Sequence, residues 1–331
     1  MNMSVIHRSM LEDFGRLART LGIGVGRCIS YSQLKRVIRT IDHESFNSIN
    51  NDYFGKHISQ ESNKWKTVDG KELRGSIDGV KGQKRGQNIV NMISHQDSQG
   101  SIIGGYDGSK ASEKVVVTDY FKALGVSDCS SFTFDALHTS EQNLSLISQK
   151  GGYFLAQVKK NQRILLEDCQ NVVFYQQAVC EKTEVQKGHG RVDERKYKAY
   201  QIELEDLQPR WKQTTISTLI TVERKRFSIK TGRQSIQTAY WISNQTADNK
   251  GFTELTEAIR KHWSIEVHHY CRDVQWGEDR MIMRDKAEAN AVASFITVAT
   301  NLFQKQDSNT SELREKITKN WKMIHTIFKP K

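Results

Sequence analysis

Between Lys64 and about Gln162, short apolar runs alternate with helix-like segments, and no other feature of the chain limits its fold as much. Strands are expected at Trp65–Val68, Ile89–Ser94, Ser101–Tyr106, Ser131–Phe134 and Tyr153–Val158, where apolar and β-branched residues cluster between Gly, Asp and Ser. Helices are expected at Glu113–Leu124 and Ser140–Lys150. Short turns join the first three strands, as in an antiparallel meander. Helices separate the later ones, as in parallel pairing.

The flanks read differently. Ile6, Met10, Phe14, Leu17 and Leu21 recur at helical spacing, and Gly22 and Gly24 follow as a stop. A second helix is expected at Ser32–Ile41, with Ser30 and Ser32 as candidate caps. Residues 1–62 are thus read as a helical N-terminal module, either packing support, the preferred reading, or a helix-turn-helix-like DNA contact. Residues 63–331 are read as one further domain. Within it, about 180–243 reads as a β-rich insertion. From Asn249 the chain turns helical, with one long helix to about Trp276, another at Asp285–Phe303 and a last at about Ser311–Phe328. Antiparallel strands followed by helix-linked parallel strands is the order of an RNase H-like sheet. The expected fold is therefore α/β, an RNase H-like mixed-sheet core with a β-rich insertion and helical N- and C-terminal parts.

Charge and composition narrow the classes of function. No window approaches the roughly 18 apolar residues of a membrane helix, and the charged N-terminus lacks a signal-peptide core. A cytoplasmic location without membrane contact is expected. Five widely spaced cysteines, with no CxxC pair, argue against a disulfide scaffold or a zinc knuckle. The net charge is +11, which favours a polyanionic partner through counterion release. Between Lys150 and Ser235 there are 17 Lys/Arg against 10 Asp/Glu, so the insertion suggests a phosphate-facing surface.

Three acids stand out by context. Asp69 follows the run Trp65–Val68 and is read as opening a turn with Gly70 and Lys71. Asp135 follows Phe132-Thr133-Phe134. Glu266 lies in the long helix beside its apolar stripe, where a glutamate is expected to face the sheet edge. Each acid alone has a plain reading as a turn residue, a cap or an ion-pair partner. Together, carboxylates repel one another unless a cation neutralises them, and hard oxygen ligands suit Mg²⁺ or Mn²⁺.

The motifs around these acids carry a resemblance. Val68-Asp69-Gly70-Lys71-Glu72-Leu73-Arg74-Gly75-Ser76 resembles the first-aspartate signature of H-repeat-associated insertion-sequence transposases, members of the DDE superfamily. Thr133-Phe134-Asp135-Ala136-Leu137-His138-Thr139, with Gly151-Gly152-Tyr153 and Val158-Lys159-Lys160-Asn161-Gln162, is similar to the second-aspartate region. Arg260-Lys261-His262-Trp263-Ser264-Ile265-Glu266, with Asp273-Val274 and Gly277-Glu278-Asp279-Arg280, is similar to the glutamate region. The resemblance runs from about Ile29 to Phe303. It implies a transposase acting on the terminal repeats of an insertion sequence and on target DNA, located with the nucleoid and working as a homodimer.

The implied mechanism is two-metal phosphoryl transfer, with Asp69 bridging two ions roughly 4 Å apart and Asp135 and Glu266 each holding one. Lys71, Arg74, Lys159, Lys160, Arg260 and Arg272 are candidate DNA contacts. For Lys71 and Arg74, solvated turn charges are an equal alternative. His138 and His262 are candidate auxiliary residues, His138 as an orienting group. The chain departs from related transposases at two places: His262 stands where an arginine is usual and Asp273 where a lysine is usual. Two other readings remain open, a structure-selective nuclease on the same fold and a non-catalytic DNA-binding transposon remnant.

Overall fold

The expected strands form, and β1 runs well past the apolar run that announces it. In a computed structural model, residues 3–55, 65–79, 85–108, 110–126, 130–304, 310–320 and 323 are described. The protein is a mixed α/β chain whose strands alternate with helices in the first half and give way to helices at the C-terminal end. β4 (Ser131–Phe134) and β5 (Tyr153–Val158) have the expected limits. β1 spans Trp65–Leu73, so Asp69 lies inside a strand and does not open a turn. Contacts divide the chain into two units, each built from separated segments.

Unit 1 comprises the described parts of 1–61, 69–116 and 264–331. Its strands follow the order β3-β2-β1, with β2 (Gln87–Ser94) antiparallel to β3 (Gly100–Asp107). Helix α1 (Met3–Leu21) ends where Gly22 takes a φ of +65°, a conformation that costs glycine least. α2 (Tyr31–Arg39) starts at Ser30, whose hydroxyl accepts from the Gln33 amide in a capping box. α3 (His43–Gly55) was not expected from the periodicity. Met3, Leu34 and Ile38 pack with Ala289, Val292 and Ile296 of α9 (Lys286–Gln304) in one core. Their apolar faces are thus taken up by packing inside unit 1. A further helix, α10 (Thr310–Lys319), covers only the first part of the last expected helix, and most of the remainder lies outside the described residues.

Unit 2 comprises the described parts of 62–68 and 117–263. Its order is β1-β4-β5-β9-β8-β7-β6. β1, β4 and β5 are parallel, and β5 pairs antiparallel with β9 (Gln234–Ser243). The β-rich segment is an antiparallel extension of that sheet, formed by β6 (Cys180–Gly188), β7 (Arg191–Gln201), β8 (Thr218–Ser228) and β9. Tyr197, Ala199, Ile220, Val222 and Trp241 form its core with Phe252, Leu255 and Ile259 of α7 (Asn249–Lys261). α5 (Glu141–Gln149) follows β4 and is capped by Ser140. α6 (Arg163–Tyr175) had not been expected. Helix α4 (Lys110–Ala123) contributes to both units.

The long helix expected to Trp276 is broken. α7 ends at Lys261, α8 (Ser264–Tyr270) follows a two-residue turn, and Cys271–Gln275 form a π-helical turn. The stripe read as core is exposed beyond Ile259: Trp263, Val267, Tyr270 and Val274 all face solvent. Ile265, His268 and Arg272 are the buried positions instead. Among the described residues no helix is long and apolar enough to cross a membrane. Cys28, Cys169, Cys180 and Cys271 are free thiols, and Cys129 lies outside the described residues.

Candidate functional site

In unit 1 the site begins at Asp69, half-buried in the middle of β1. The next residue, Gly70, allows a close approach. A Cβ there would lie 2.4 Å from Cδ of Glu113, so the Glu113 carboxyl rests against the β1 backbone. Glu113 is buried in the first turn of α4. Its Oε2 accepts a 2.7 Å hydrogen bond from the Tyr106 hydroxyl. Carboxylate oxygens of Asp69 and Glu113 lie within 4.8 Å of each other. Burial, the Glu113 hydrogen bond and the charges of Glu113, Asp69 and Glu72 push the Tyr106 phenol far up, so it stays protonated and donates. Two acids this close gain from a bound cation, and their hard oxygens suit Mg²⁺ or Mn²⁺.

His269 flanks the pair, with Nδ1 3.9 Å from Asp69 Oδ2 and Nε2 3.1 Å from the Asn91 side-chain nitrogen. Burial, then the charges of Lys71 and Arg272, push His269 down to about 3, while Glu113 opposes the shift. At neutral pH it is therefore a neutral imidazole and not an ion-pair partner of Asp69. His268, on the buried side of α8, is also held neutral by burial.

Two of the cations assigned to DNA are enclosed. Lys71 is 6% exposed, with Nζ 2.5 Å from Asp273, 3.6 Å from Asp279 and 3.9 Å from Glu278. Arg272 is fully buried and grips Glu278 through two bonds of 2.9 and 2.6 Å. It also donates to Thr297 Oγ1 and to the Ala293 carbonyl. Burial raises the Asp273 pKa while its Lys71 hydrogen bond opposes the rise. The residues of the Asp273 and Gly277–Arg280 motif thus close an ion-pair network behind Lys71. Arg74, by contrast, is 66% exposed and 3.6 Å from Asp279.

Glu266 is exposed on α8. The helix restarts at Ser264 with Ile265 and His268 inward. Glu113 is a glutamate beside Asp69 that the sequence patterns do not single out. Gly70, read as a turn residue, is the glycine that lets Glu113 approach the strand this closely.

Unit 2 holds Asp135, half-buried just after β4. Its Oδ1 accepts from the backbone amides of Leu137, at 2.8 Å, and His138, at 3.4 Å. Asp135 therefore shapes the turn, while Ser140 caps α5. The turn is pinned by the second-aspartate motif: Asn161 donates to the Ala136 carbonyl and Gln162 to that of Thr139. His138 is buried in this turn, an imidazole of the kind that ligates metals. Lys159 and Lys160 are exposed after β5. Arg260 is exposed and donates to Gln186 Oε1 at 3.0 Å.

His262, in the place of the usual arginine, is buried. Its Nδ1 lies 3.1 Å from Thr67 Oγ1 and 2.9 Å from Thr133 Oγ1. Burial depresses it to about 4, with Asp135 raising and Lys159 lowering it. It is a neutral ring tying β1 to β4, placed to support the strand ends and not to grip a phosphate. Thr67 and Thr133 are paired across these parallel strands. Asp69 and Asp135 each stand two residues further along. Comparison of the chain with protein-family models and with curated proteins finds no match in either set.

Proposed function

We propose that the protein is a DDE-type DNA transposase that cleaves insertion-sequence ends and joins them to target DNA, with an RNase H-like core. The single observation that carries this reading is the parallel Thr67↔Thr133 pair, from which Asp69 and Asp135 are the equivalent next-but-one residues. The antiparallel β2–β3 pair followed by parallel, helix-linked β1, β4 and β5 supports the core assignment. Asp69 and Glu113 would hold a divalent cation. The bound ion would supply activation of water or a DNA 3′-hydroxyl and charge stabilisation of the leaving oxygen. Tyr106 keeps the Glu113 carboxylate in place, and His262 and the turn at Asp135 position the second acid. Glu266 keeps its place in the proposal only as an exposed glutamate able to approach a bound DNA end. Arg74, Lys159, Lys160 and Arg260 are the exposed cations available to phosphates, and two protomers would pair the element ends.

The test is cleavage of a labelled duplex carrying the DNA that flanks the coding sequence, with Mg²⁺ or Mn²⁺. Wild type is compared with Asp69→Ala, Asp135→Ala, Glu113→Gln and Glu266→Gln. Metal-dependent cuts that vanish in the two aspartate variants support the reading, and joined products separate a transposase from a nuclease. Binding without cutting under either metal overturns it in favour of a DNA-binding remnant. The two glutamate variants decide which glutamate serves the chemistry.

A further inference from the structure

Strand alternation divides the β6–β9 extension of unit 2 into two faces. Near the core, one face carries Tyr197, Ala199, Ile220 and Val222 beneath α7. Further out, the same face carries Arg191, Asp193 and Arg195 on β7 and Arg224 and Arg226 on β8. Asp193 lies directly opposite Arg226, and Arg195 opposite Arg224.

All four guanidinium groups share the Asp193 carboxylate, which is 7% exposed. Arg226 Nε lies 2.8 Å from it, Arg191 3.2 Å, Arg224 3.4 Å and Arg195 3.6 Å. Glu184 faces Lys182 at 2.8 Å. One carboxylate has about four acceptor sites, whereas each guanidinium carries five N–H donors. Asp193 and Glu184 of β6, which lies opposite Arg195, supply two negative charges against these four arginines, Lys182 and Arg260, so the face keeps a surplus of cations. Burial and the nearby Arg260 both lower the Arg195 pKa, a sign of crowded cations. Burial opposes ionisation of Asp193, but Arg226 and its neighbours hold its carboxyl below the usual range, so it stays charged. Such a cluster costs repulsion in the isolated protein. Residues two apart on a strand stand roughly 7 Å apart, and planar guanidinium forks bind phosphate oxygens in pairs.

We infer that this arginine face is a docking surface for the phosphate backbone of double-stranded DNA, and that Asp193 holds the four guanidinium groups in register until the duplex arrives. The choice of DNA as occupant rests on the proposed function and on charge complementarity. The opposite face offers no such cluster: there Lys196 and Lys198 both pair with Glu181.

The experiment measures binding of the full chain to a labelled random-sequence duplex, without divalent metal, across a series of salt concentrations. Arg224→Ala/Arg226→Ala is expected to weaken binding about tenfold and to make the slope of log K against log salt shallower by roughly 2. Lys196→Ala/Lys198→Ala removes the same charge from the opposite face and is expected to leave the slope unchanged. Equal losses in both pairs overturn the proposal, because net charge alone then explains binding. Competition by polyglutamate as strong as by unlabelled duplex also overturns it, assigning the face to an acidic protein. Should the arginine pair fail to fold, Arg191→Ala, 42% exposed, takes its place with a loss of about one unit of slope. Because the assay contains no metal, the two readings fail separately. A face-specific slope without metal-dependent cleavage keeps the docking surface and removes the transposase. Cleavage with no face-specific slope does the reverse.

Discussion

The two units handle ionic groups in opposite ways. In unit 1, Lys71 and Arg272 are enclosed with Asp273, Glu278 and Asp279, and the acids match or outnumber the bases. In unit 2, four partly exposed arginines crowd one buried aspartate. The first arrangement is closed: the network partners come from this chain, and losing one leaves a charge stranded. The second carries a surplus of cations beside solvent. A closed network fixes local structure behind Asp69, whereas an oversupplied one leaves attraction for an external anion.

Breaking that comparison begins with Arg272→Ala. It strands Glu278, 2% exposed, and is expected to destabilise folding by about 3–5 kcal/mol in urea titrations. A loss under about 1 kcal/mol would place the network on the same footing as ordinary surface pairs.

The next effect is pH dependence from two of the neutral histidines, His262 in unit 2 and His269 in unit 1. The folded-state pKa of His262 is about 4 and that of His269 about 3, both below the ordinary value of 6.5. As pH falls below 6.5 the unfolded chain takes up protons that the folded chain refuses. Stability is therefore full above 6.5 and declines down to about 4 for His262 and about 3 for His269, by on the order of 3 kcal/mol for His262. Unfolding measured from pH 7 to pH 4 in wild type and in His262→Asn checks this. The variant should show the smaller loss, and parallel curves would count against a buried neutral His262.

Asp193→Asn sharpens the contrast in unit 2. It removes the shared carboxylate from the arginine cluster and is expected to cost about 1–2 kcal/mol while strengthening DNA binding at low salt. Thermal unfolding and duplex titration read the two effects together. The smallest effect is expected for Arg224→Ala, within about 1 kcal/mol of wild type because the guanidinium is 29% exposed and has like-charged neighbours. A loss as large as that of Arg272→Ala would make the arginine face a structural network after all.

The same contrast explains what was legible beforehand. The ends of β4 and β5 are legible because a buried strand leaves a short, mostly apolar run, Phe132 to Phe134 and Phe154 to Val158, broken only by Thr133 and Gln157. β1 was read short because Asp69, Gly70 and Lys71 look like a turn. As part of β1 they stay extended, with Lys71 enclosed by acids some two hundred residues away. The helix carrying Glu266 was misread for a related reason. Its apolar residues sit at helical spacing, but spacing does not say which side faces inward. Arg272 can be buried because Glu278 and Thr297 satisfy it.

What the sequence determined by itself is local: the α/β alternation, the helix caps such as Ser30, the basic insertion, and two aspartates that each directly follow an apolar run. These follow from periodicity, turn chemistry and charge, which act over a few residues. Tertiary structure alone decided that Glu113 stands against Gly70 beside Asp69, that His262 is a neutral tie between two threonines, and that four arginines from two strands meet at Asp193. Each depends on groups distant in the chain becoming neighbours. Burial and the charges met there set whether a side chain is ionised, enclosed or available to a partner.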